Sequence, residues 1–276
     1  MIKRLWSNAI VKAIAAYLIF EIISFSIKYL CAALGISFPD SNLGELINEI
    51  VKITIPVLIV AFSFKTISTV KDPLKGFGKS LLCGLWFFLI TGFGIIIQIK
   101  ESIAEGLKFK SGPEIILFVL FLVAVCFSEE LLNRGTITEI IVRRFGSGRK
   151  GKLLTILVGA SIFSIFHLSN LLRGQSVRNT VLQMISVFCM AVFVNTIYVR
   201  YRNLYAAILL HMVLDFMTLF EFGMISGKTI GETFTNDKGS TLSSFIMANS
   251  SYIVAAVIIF LVTNRKGGKK NVEKYS

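Results

Sequence analysis

Glu129, Glu130 and Arg134 stand together at the end of a run, Ile115 to Phe127, that is otherwise apolar. The chain has two histidines, His167 and His211. Each also lies in a hydrophobic stretch, and Asp215 follows His211 by one helical turn. Ionisable groups inside a membrane span are costly and mark functional sites by default. Residues four apart share a helix face, so Arg134 can pair with Glu130. Glu129 is rotated by about 100° and points elsewhere. That divides the work between adjacent acids. Glu130 is held ionised by its arginine, while Glu129, unpaired in a low-dielectric pocket, suits a general base. Each part has a plainer account: a solvated Glu–Arg pair at a helix end, a core histidine, an Asp–His pair that only packs. The conjunction is the argument, because every histidine, the Glu-Glu-Arg cluster and Asp215 fall on consecutive or near-consecutive apolar stretches.

Those stretches are membrane spans. Hydrophobic residues make up 54% of the chain and charged residues only 16%, with a mean hydropathy of +0.75. A soluble domain carries about 25% charged residues and lacks long apolar runs. Here apolar runs of about 20 residues recur along the whole length, the mark of an all-α polytopic bundle. Eight spans can be drawn: Ala9–Leu34, Ile50–Phe64, Ser80–Ile99, Pro113–Gly135, Leu153–Leu172, Val177–Val199, Leu204–Ile225 and Ser244–Thr263. The formal charge of +13 does not point to nucleic acid, because the basic residues are scattered between spans rather than gathered in one patch. They favour one set of loops about two to one, with Lys3, Arg4, Lys65 to Lys79, Arg143 to Lys152, Arg200, Arg202 and the tail from Arg265 on that side. The positive-inside rule then places both termini in the cytoplasm, as an even number of spans requires. The organisation expected is one membrane domain over 1–276, a catalytic core at about 113–225 and a basic cytoplasmic tail at 265–276.

Other polar residues read as local features. Glu21 and Lys28 form a separate element on the first span, Asn195 bridges helices, and Glu221 faces water near an outer end. The segment Ile99–Phe109 has the i, i+4, i+8 spacing of a helix lying on the outer surface. Cys31, Cys83, Cys126 and Cys189 each fall in a different apolar segment, with no C-x-x-C pair, and read as small core residues. Depth tests whether the site closes. At about 1.5 Å per residue, Glu129 and His167 both lie roughly 22 Å from the inner edge, and His211 roughly 13 Å. The difference calls for tilt or a longer loop. Zincin, serine-elbow and phosphate-loop motifs are missing.

The three polar stretches resemble the signature of the CAAX-protease and bacteriocin-processing (CPBP, or Abi) family of intramembrane proteases. Its pattern, E-E-x-x-x-R, then F-x-x-x-H, then H-x-x-x-N or D, reads here as Glu129-Glu130 to Arg134, Phe163 to His167, and His211 to Asp215. The matching region runs from about Leu117 to Phe220. The resemblance implies an eight-helix core around a water-filled cavity and peptide-bond hydrolysis within it, in the cell membrane. Glu129, oriented with His167, would activate water, and His211 and Asp215 would bind the oxyanion. In a metal-dependent variant Glu129, His167, His211 and Asp215 would hold zinc; a metal-free glutamate mechanism is the other form. Two departures stand out. Asn133 replaces the aromatic residue that often precedes the arginine, and Asp215 replaces the Asn of eukaryotic members. The substrate expected is a hydrophobic peptide or a membrane-anchored protein, with the lipid bilayer as the surrounding partner. A bacteriocin self-immunity protein that binds without cleaving, and a proton-coupled transporter, are the competing classes.

Overall fold

The computed structural model describes residues 8–39, 41–146, 148–234 and 242–265. Among them eight helices are long and apolar enough to cross a membrane. They are α1 (Ala9–Ala33), α2 (Asn42–Ser63), α3 (Leu85–Ala104), α4 (Gly112–Phe145), α5 (Arg149–Leu172), α6 (Val177–Tyr201), α7 (Leu204–Met224) and α8 (Leu242–Thr263). The architecture is an all-α polytopic bundle. Among the described residues the β structure is limited to one antiparallel bridge, Phe109 to Ile225.

Local chemistry explains where the helices begin. Asn8, Ser41, Ser176 and Asn203 accept hydrogen bonds from first-turn amides of α1, α2, α6 and α7. Ser111 and Glu114 close a capping box on α4, with Pro113 in its first turn. These caps satisfy amides that have no partner within a helix. The outward faces are apolar: Ile14, Leu18 and Ile22 on α1, and Leu89, Ile90 and Phe93 on α3, are exposed. Such surfaces belong in lipid, so the chain is a multi-pass membrane protein.

Four expectations need correction. The second span begins at Asn42 rather than Ile50, because Asn42 and Gly44 are buried against neighbouring helices although Glu45, Asn48 and Glu49 lower the hydropathy there. The third span is broken at Gly84, leaving a separate short helix at Phe77–Cys83. A Cβ at Gly84 would lie 2.5 Å from Leu210 Cδ2. The segment Ile99–Phe109 does not lie flat: α3 continues straight to Ala104, turns at Gly106, and leads into the Phe109 bridge. The fourth span does not end near Gly135 but runs to Phe145. Its polar segment Leu131–Thr138 is wholly buried and wound in wider i→i+5 turns, a form frequent at functional sites. A similar segment, Ile50–Thr54, interrupts α2. The two helices run side by side, with Thr54 bonded to Ser128 and Thr66 to Thr136, both at 2.8 Å.

Each end of the bundle is tied by polar contacts. At one end Arg202 and Asn203 make the short turn between α6 and α7. Asn203 Nδ2 donates to the carbonyls of Pro73 and Lys75, and Arg202 pairs with Glu139. At the other end Lys110 Nζ donates to Phe222 O at 2.9 Å, Asn42 bridges Glu114 and Gly223, and Glu221 pairs with Lys228 at 3.6 Å. Lys3, Arg4, Lys238 and the basic tail beyond Arg265 lie outside the described residues.

Candidate active site

Arg134 is the hub of the buried cluster. Both it and Glu130 are 0% exposed. Arg134 Nη1 donates to Glu130 Oε1 at 2.6 Å, and its Nε donates to Asn195 Oδ1 at 3.1 Å. Its guanidinium lies 4.9 Å from the centre of the Phe163 ring, a cation–π contact. Asn195 in turn donates to the carbonyl of Ile156. One arginine therefore binds α4, α5 and α6 together. Gly159 makes this possible, since a Cβ there would lie 2.9 Å from Thr138 Oγ1 and 3.1 Å from Asn195 Nδ2.

α7 brings His211 to the same point. Its Nδ1 lies 2.9 Å from Glu130 Oε1, and with Glu130 ionised this nitrogen is the donor. Nε2 is thus the face available for chemistry. It lies 3.8 Å from Glu129 Oε2 and 3.5 Å from Asp215 Oδ1, close enough for charge interaction but at or beyond the limit of a direct hydrogen bond. The Glu129 side chain is 33% exposed, Asp215 22% and His211 5%. Glu129 therefore reaches the surface of the packed bundle, whereas Glu130 does not. The anchoring acid and the free acid are separated as the helical geometry of adjacent residues requires. Phe163 stands edge-on to both imidazoles, at 5.2 Å from His167 and 6.1 Å from His211. His167 Nδ1 lies 3.1 Å from the Phe163 carbonyl of its own helix. The structure thus gathers Glu129, Glu130, Arg134, His211 and Asp215 by polar contacts, and links His167 to them through the Phe163 ring.

Wider turns over Leu131–Thr138 bring Glu129 closer to the inner end than ideal helical rise gives, which offsets part of the depth difference from His211.

Two residues enter the site with roles that pattern alone did not assign. Cys126 is fully buried and unpaired in any disulfide, and its thiol donates to Asp215 Oδ2 at 3.6 Å. Its place one turn before Glu129 and Glu130 was the available signal. Cys31 is also buried, whereas Cys83 and Cys189 are only half-buried. Asn195 does bridge helices, but it does so at the site arginine. Donor atoms of Cys126, His211 and Asp215 lie within 4.8 Å of one another. A thiolate, an imidazole and a carboxylate are ligand types that zinc takes, and the anchored Nδ1 of His211 is the outer-shell support such a ligand has. Of the four metal ligands expected, this close set contains His211 and Asp215, with Cys126 in place of Glu129 and His167.

Fold and site together define a polytopic membrane protein with a buried cluster of ionisable side chains inside its bundle. Residues 111–217 match the family model described as type II CAAX prenyl endopeptidase, Rce1-like, which is the family the three motifs resemble. No curated protein and no solved structure matches the chain.

Proposed function

We propose that this protein is a glutamate-dependent endopeptidase that cleaves hydrophobic or membrane-anchored peptides within the cell membrane, as a single domain with both termini in the cytoplasm. The observation that carries the reading is the convergence on His211, held at Nδ1 by Glu130 and facing Glu129 and Asp215 with Nε2. Glu129 takes a proton from a water that enters beside it, and the hydroxide attacks the scissile carbonyl. In this step His211 acts as the imidazolium, with Nδ1 on Glu130 and Nε2 donating to the oxyanion. Glu129 then returns the proton to the leaving amine. Arg134 keeps Glu130 ionised and so keeps His211 in place. His167, packed on Phe163, lines the same wall and positions the peptide. In a zinc-bound form, Cys126, His211 and Asp215 would hold the ion, with His211 neutral at Nε2, and the metal would supply polarisation of the scissile carbonyl in place of the imidazolium.

Replacing Glu129 by Gln is expected to abolish cleavage, read by mass spectrometry of membrane peptides from cells with and without the variant, and to leave thermal unfolding unchanged. Full activity in Glu129→Gln would falsify the assignment. Metal analysis of wild type beside Cys126→Ser separates the two forms: zinc bound by wild type and lost in the variant assigns the metal form, and no zinc in wild type assigns the metal-free glutamate form. Should Glu129→Ala still protect cells fully against a bacteriocin, binding rather than hydrolysis is the function.

A further inference from the structure

Glu21 on α1 is an intramembrane acid that the mechanism above does not use. Its carboxylate accepts a hydrogen bond from the Tyr17 hydroxyl, and among the described residues no basic side chain pairs with it. Two contacts fix its depth. Ser24 of α1 donates to the Lys52 carbonyl of α2, and Thr54 of α2 bonds Ser128 of α4. α1 and α2 are antiparallel, so one turn inward from Ser24 brings Glu21 to the level of Glu129. On α1, Ala13, Ala16 and Phe20 are buried and Ile14, Leu18 and Ile22 are exposed. Tyr17 and Glu21 lie half-buried on the flank between these stripes. There the Tyr17 ring stacks on Phe166 of α5, with centroids 3.3 Å apart and planes 12° from parallel. Phe166 directly precedes His167.

An acid at this depth, with a phenol as its partner and aromatic faces beside it, matches one kind of guest. A carboxylate attracts an ammonium or guanidinium, and the rings add cation–π attraction for the same group. The long stem of Lys or Arg can lie along apolar surface while its head reaches the acid. We propose that Tyr17 and Glu21 form a specificity site for a basic residue of the peptide substrate close to the scissile bond. This rests on the endopeptidase reading and names the class of substrate.

The test uses the full chain in lipid nanodiscs and labelled hydrophobic peptides that differ at one position: Lys, norleucine or Glu. Binding by fluorescence anisotropy and cleavage are read in parallel. Wild type is expected to bind the Lys peptide about tenfold more tightly than the norleucine peptide, the scale of one close charge contact. Glu21→Gln is expected to remove that ratio, and Glu21→Lys to favour the Glu peptide. Tyr17→Phe keeps the carboxylate and is expected to lower the ratio only partly, which covers the case in which the Glu21 variants do not fold. Equal binding of Lys and norleucine peptides by wild type, or a ratio unchanged in Glu21→Gln, overturns the proposal. Peptide that is bound with the expected ratio but never cleaved by wild type counts against the endopeptidase reading instead and leaves the specificity site standing.

Discussion

α4 carries the same ion pair twice. Glu130–Arg134 and Glu139–Arg143 have identical spacing on one helix, at 2.6 Å and 2.8 Å, yet they do different things. The first pair is entirely enclosed, and each partner has a second obligation: Arg134 to Asn195, Glu130 to His211. The second pair sits at the basic end of the bundle, with the Arg143 side chain 51% exposed, and Glu139 shares itself with Arg202. In the interior an ion pair is fixed because losing either charge strands the other; at the rim Glu139 is buried, but both of its arginines reach the surface, where water replaces the contact they lose.

The contrast can be broken most severely from inside. Arg134→Met strands Glu130 and is expected to cost about 3–5 kcal/mol in unfolding measurements, with cleavage lost because His211 loses its anchor. Recovery of part of that stability in Glu130→Gln/Arg134→Met, with activity still absent, would sharpen the point. Gly159→Ala pushes α5 away from Asn195 and Thr138, and is expected to destabilise by about 1–3 kcal/mol. Its activity should fall with the displaced guanidinium. At the rim, Glu139→Gln removes the partner of both Arg143 and Arg202 and is expected to cost about 1 kcal/mol, with cleavage retained. Arg143→Ala is expected to change stability by a few tenths of a kcal/mol at most, an effect that disappears at high salt.

This difference between the two pairs bears on what could be read without coordinates. Span number, the Glu130–Arg134 pair and the three polar stretches were legible because hydropathy and four-residue spacing are local properties. The extent of α4 was not. Asn133, Arg134, Thr136 and Thr138 have the composition of a helix end at a water surface, and only neighbouring helices make them interior. Cys126 was hidden for the opposite reason, since a thiol among Phe and Leu has the look of filler until Asp215 arrives from α7. Glu21 shows the same limit, because its meaning depends on how α1 aligns with α2 and α4, a relation that no single stretch contains.

The turn between α6 and α7 has a consequence for how the reaction centre is kept in register. Arg202, in a left-handed conformation, and Asn203, tethered to the Pro73–Lys75 loop, leave the joint no slack. Each residue added there would lift His211 by about 1.5 Å along its axis and rotate it by about 100°, past Glu130 and toward lipid. The imidazole is thus gauged from the basic edge of the bundle, like a piston on a rod of set length, and chain-length variation at that joint is mechanically forbidden.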